Sequence, residues 1–121
     1  MASSLVPLVF TSATVATAGV SVAAGTAVPD NCHTIHLYNA SETETVYFAL
    51  DTAGNPLTST TSGVLPPEKA IALTIGALGL RAMMDDLSDL VFDASGNGPI
   101  VHIIYECGID DYPQVTKGRS A

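Results

Sequence analysis

The sequence predicts an all-β chain folded as a single antiparallel β-sandwich, and three observations lead to that class. Short runs rich in β-branched and aromatic residues, such as "TVYFAL" and "PIVHIIYECG", recur along the chain. Turn-forming clusters, "NASET", "DTAGNP" and "SGNG", stand between them. At 121 residues the chain can bury one core but not two independent ones.

Three regions are expected: an extended apolar N-terminal arm over residues 1–29, a β-sandwich over 30–108 and a polar C-terminal tail over 109–121. The arm carries no charged side chain. A secretory signal fits it poorly, because Lys and Arg are absent and Pro7 splits "LVPLVF", although Ala16-Thr17-Ala18 has the form of a cleavage site. A membrane span, which needs about 20 predominantly apolar residues, is diluted here by Ser, Thr and Gly. Alternation of β-branched with small residues in "TVATAGVSV" instead predicts extended chain. An uncharged arm is expected to pack on its own sheet or on a neighbouring subunit. Its candidate assembly contacts are Leu5, Val6, Leu8, Val9, Phe10, Val15, Val20 and Val22. Removing residues 1–28 is accordingly expected to leave a folded domain.

Within the sandwich, strands are expected over His33 to Tyr38, Thr45 to Leu50 and Ala70 to Ile75, then in "DLVFDAS" and "PIVHIIYECG". Pro66 and Pro67 must lie outside any ladder. The last two strands are joined by "SGNG", which reads as a hairpin turn. One segment departs from this pattern. In "LGLRAMMDDLSDL", Leu80, Met83, Met84, Leu87 and Leu90 recur at helical spacing, so a short amphipathic helix near residues 80–90 and an irregular crossover both fit. The tail holds two of the four basic residues, Lys117 and Arg119.

Charge narrows the function. Four Lys and Arg against twelve Asp and Glu give a net charge of −8, which disfavours nucleic acid and anionic membrane surfaces as partners. Charged residues make up 13%, about half the usual ~25%, so much of the surface is uncharged.

The stretch "NCHTIHLYN", Asn31 to Asn39, raises the question of a metal or a catalytic thiol. On a regular strand Cys32, Thr34 and His36 face one way and His33, Ile35 and Leu37 the other, so the two histidines are expected to oppose each other. In the last strand Val101, Ile103, Tyr105 and Cys107 share one face, leaving His102, Ile104 and Glu106 opposite. Neither a C-x-x-C nor an H-x-x-x-H pair is present, so no metal site is expected, although Cys32, His36 and Cys107 would be the ligands to converge. Buried thiols are the expected state of Cys32 and Cys107, with a disulfide between them as the alternative. "DASGNG" begins like a calcium loop with Asp93, Ser95 and Asn97, but its twelfth position is Ile104 where a bidentate Glu is required. Asp85, Asp86, Asp89 and Asp93 read as a solvated acidic edge. No G-x-S-x-G elbow, Walker A loop or Rossmann glycine pattern occurs, so no catalytic residue and no cofactor are assigned.

The succession "IHLYNAS", "TVYFALDTAGNPL", "VLPPEKAIALTIG", "LVFDASG" and "IVHIIYECG", behind an apolar arm, resembles the small β-sandwich structural proteins of tailed bacteriophage virions. The likeness covers roughly residues 30–108. It implies a non-enzymatic virion protein assembled in the host cytoplasm, first of all a capsid decoration (cement) protein and otherwise a neck or tail component. The implied partners are copies of the chain itself, with a trimer as one arrangement, and a major capsid or tail protein. The long uncharged arm and the methionine-rich crossover fall outside the likeness. A different class, a secreted carbohydrate-binding sandwich with Cys32 and Cys107 bridged, stands as the alternative.

Overall fold

The computed structural model describes residues 8–29, 31–74 and 89–108. Eight strands follow in order: β1 (Leu8–Thr14), β2 (Val22–Ala23), β3 (Cys32–Asn39), β4 (Val46–Asp51), β5 (Gly63–Leu65), β6 (Ala70–Thr74), β7 (Asp89–Ala94) and β8 (Ile100–Cys107). They form two four-stranded sheets. Sheet A runs β1-β8-β3-β6 and sheet B runs β2-β7-β4-β5. Every pairing is antiparallel, and the two sheets pack together as a sandwich.

Period-two alternation decides which residues meet between the sheets. On β8, Val101, Ile103, Tyr105 and Cys107 turn inward, and Ile35 and Leu37 do so on β3. Sheet B contributes Val46, Leu65, Leu90, Phe92 and Ala94. Gly63 opposes Phe48 in register, and a Cβ there would run into the Phe48 ring, so glycine is what lets that ring lie across the sheet. Pro66 and Pro67 fall between β5 and β6, outside the ladders, as expected. Glu68 in that turn adopts φ 60°, a left-handed conformation that costs a non-glycine residue about 1–2 kcal/mol.

Nearly every connection crosses between sheets; only β4 and β5 are consecutive strands of the same sheet. The turn holding "SGNG" is one such crossing. It carries the chain from β7 in sheet B to β8 in sheet A, so it is an arch and not the expected hairpin turn.

Of the two packings expected of the N-terminal region, on its own sheet or on a neighbouring subunit, residues 8–29 take the first. Residues 8–29 form no separate arm: β1 pairs along its whole length with β8, β2 pairs with β7, and Val15 and Ala13 sit in the core. The strand is "LVFTSAT", whereas the alternating window "TVATAGVSV" is mostly turn, with Gly19 at φ 93°. The apolar content of this region is thus largely spent on the chain's own sheets. Residues 75–88, with the segment read as a helix or crossover, and the tail from residue 109 lie outside the described residues.

Candidate functional site

Two buried polar side chains, Asn39 and Asp93, tie loops and strands of the sandwich together. Asn39, fully buried at the end of β3, donates from Nδ2 to Glu44 O at 2.8 Å and to Leu65 O at 3.0 Å. Its Oδ1 accepts from Ser41 N at 2.9 Å, so one amide satisfies three backbone groups and ties sheet A to β5 of sheet B. Asp93 sits on the outward side of β7, yet it is buried. Its Oδ1 accepts from Gly19 N and Ala94 N, each at 2.8 Å, and Oδ2 accepts from Leu57 N at 2.9 Å. Gly54 N donates to Ser21 O at 2.8 Å, joining the same two loops. The carboxylate therefore holds two loops down over sheet B, which explains why Val91, Phe92 and Asp93 are all buried although strand residues alternate. Asp93, expected on a solvated acidic edge, is instead a buried acceptor for backbone amides.

The outer face of sheet A lacks such a cover among the described residues. Register places its side chains in rows: Leu8, Glu106, Thr34 and Thr74; Phe10, Ile104, His36 and Ala72; Ser12, His102, Tyr38 and Ala70; then Thr14 and Ile100. Phe10 is 67% exposed, Leu8 45%, Tyr38 41% and Ile100 40%. Across all four strands of sheet A, Glu106 is the one Asp, Glu, Lys or Arg. In a chain of net charge −8, this face is nearly uncharged and rich in apolar surface.

All three histidines of the chain belong to it. The β-bulge between Cys32 and Thr34 is the reason, and it overturns the expected alternation. Thr34, His36 and Tyr38 face outward, while the bulge swings Cys32 into the core with Ile35 and Leu37. Exposed His33 then bonds through Nδ1 to the Thr34 hydroxyl at 2.9 Å, on the same side as His36. The two histidines do not oppose each other. His36 Nε2 donates to Glu106 Oε1 at 2.9 Å. That hydrogen bond first, and then the charges of His33 and His36, hold the Glu106 carboxyl below its ordinary range despite some desolvation. Tyr38 stacks on its register partner His102, ring centroids 6.4 Å apart and planes 19° from parallel.

The proposed assembly contacts separate into two groups. Leu8, Phe10 and Val20 are exposed, whereas Val9 and Val22 pack against the core and Val15 lies within it. Leu5 and Val6 lie outside the described residues. Cys32 and Cys107 are brought together as register partners, with His36 on the opposite side of the sheet, so these three do not converge on a metal. No group of three or more His, Cys, Asp or Glu among the described residues is arranged to hold a metal ion. Sequence reasoning missed the histidine face because the bulge, which sets its parity, leaves no mark in a strand lacking glycine. Among the described residues no helix is long and apolar enough to cross a membrane.

Behind this face, Tyr105 points into the core and donates its hydroxyl to Thr26 O at 2.6 Å. Burial, reinforced by the neighbouring Cys32, pushes its pKa up to about 12. No family model, curated protein or solved structure matches this chain.

Proposed function

We propose that the chain is a non-enzymatic structural protein that assembles through the outer face of sheet A. The proposed setting is a virus particle, where it acts as a decoration protein stabilising the shell through contacts with its own copies and with a capsid or tail protein. The observation that carries the reading is the contrast between the two outer faces. One is partly covered by loops bonded to Asp93 and exposes a single large apolar strand residue, Val64; the other leaves Phe10, Leu8, Tyr38 and Ile100 exposed beside a single acidic residue. A chain of this charge meets another copy with least repulsion where its carboxylates are fewest. Burial of about 800 Å² per partner is the usual scale of a stable contact, and aromatic residues at its centre supply most of the affinity. The viral setting rests on the sequence resemblance.

The full chain is expected to sediment as an oligomer whose population grows with concentration, and mass spectrometry of purified tailed-phage particles is expected to recover it. A monomer at every concentration would remove self-assembly from the reading. A second reading, a carbohydrate-binding sandwich, is favoured by the exposed rings of Phe10 and Tyr38, which suit stacking on sugar faces; retardation in polysaccharide-containing gels would support it.

A further inference from the structure

A pair of register partners at one end of sheet A carries chemistry that the outer face does not use. Cys32 on β3 stands directly opposite Cys107 on β8, and both side chains turn into the core, 3% and 7% exposed. Regular alternation would not allow this. With Ile35 and Leu37 facing inward, an unbroken strand would put Cys32 on the outer face. The register shift between Cys32 and Thr34 resets the alternation and sets the chain's two cysteines against each other.

The pair is held from both sides. Thr34 opposes Glu106 on one side. On the other, Gly108 N donates to Asn31 O at 2.9 Å and Asn31 Nδ2 donates to Gly108 O at 2.7 Å. Direct antiparallel partners have Cα atoms about 4.5–5.5 Å apart, inside the roughly 4.4–6.8 Å that a disulfide spans. Each thiol donates weakly along its own strand, Cys32 to Thr34 O at 3.4 Å and Cys107 to Tyr105 O at 3.8 Å.

We propose that Cys32 and Cys107 form a cross-strand disulfide site, closed by a low-molecular-weight disulfide such as oxidised glutathione. The thiolate of Cys107, the more exposed of the two, attacks one sulfur of the disulfide RSSR, forming a mixed disulfide and releasing RSH once the leaving thiolate takes a proton. Cys32 then attacks the Cys107 sulfur, closing the bridge and expelling the second RSH. Two cysteines lose two hydrogens, and RSSR is reduced to two RSH. The bridge ties together the two central strands of sheet A, and it closes a loop containing every strand from β3 to β8. Its main effect is to restrict the unfolded chain. In a reducing compartment the pair stays as two small buried hydrophobes; in an oxidising one the site locks the sandwich.

The test holds the full-length chain in oxidised glutathione, with urea just below the unfolding midpoint so that the thiols open transiently. The chain is then denatured, alkylated and weighed. The expected product is lighter by two hydrogens, takes up no alkylating agent and melts at a higher temperature than the reduced chain, a gain that dithiothreitol reverses. Cys107→Ala is expected to carry one glutathione on Cys32 instead. A wild-type chain that emerges with two alkylatable thiols, two glutathione adducts or links between chains would overturn the proposal.

Discussion

His36 Nε2 and Glu106 Oε1 meet at 2.9 Å across the outer face of sheet A, joining β3 to β8 through side chains 44% and 45% exposed. Because the contact lowers the Glu106 carboxyl below its unfolded value, it stabilises the fold above the ordinary glutamate range and loses that contribution as pH falls through the lowered value. Solvent screening keeps the effect small. Glu106→Gln is expected to flatten the acid limb of the melting-temperature profile below the ordinary glutamate range. An unchanged acid limb would show that the pair contributes nothing to stability.

Tyr105 sets the opposite limb. Its folded-state pKa is raised to about 12, so the phenol favours the fold fully below the ordinary tyrosine value of about 10 and loses that contribution as pH rises through about 12. Spectrophotometric titration should show one tyrosine ionising late, together with unfolding. Tyr105→Phe should remove that late step and, by leaving Thr26 O without its donor, cost roughly 1–2 kcal/mol at neutral pH.

Asp93→Ala strands the amides of Gly19, Leu57 and Ala94 and frees two loops from sheet B. A loss of roughly 3 kcal/mol is expected in urea unfolding, with faster hydrogen exchange at Gly19 and Leu57. Addition of calcium should not restore it, since the carboxylate works here as an acceptor for backbone N–H groups.

Deleting residues 1–28 removes β1, β2 and Val15 together, so the truncated chain is expected not to fold. Val15→Ala alone should cost about 2 kcal/mol. A cooperative unfolding transition in the truncated chain would mean that the sandwich stands without its first edge strand.

Much of the fold was legible because strand composition and turn chemistry are local. "TVYFAL" and "PIVHIIYECG" became β4 and β8 within a residue or two, and the inward set of β8 followed from alternation alone. What was not legible depends on pairing. Residues 8–14 read as an arm because their partner, β8, lies far along the chain, and an apolar strand looks the same whether its partner is its own sheet or another subunit. The side on which His33 and Cys32 fall depends on a bulge opposite Cys107, and no single strand's sequence announces it. Asp93 looked like an acidic turn residue because its three donors come from Gly19, Leu57 and the adjacent Ala94, two of them distant in sequence.

The central claim is that the outer face of sheet A is the assembly surface, and sedimentation of the full chain beside Phe10→Asp/Tyr38→Asp tests it most directly. Both side chains are exposed, so the double variant should keep the wild-type circular dichroism and a cooperative melt, its melting temperature lowered by the stabilisation that association supplied. The account predicts an oligomeric wild type and a monomeric variant. A variant that associates as the wild type does, with its fold intact, would contradict it.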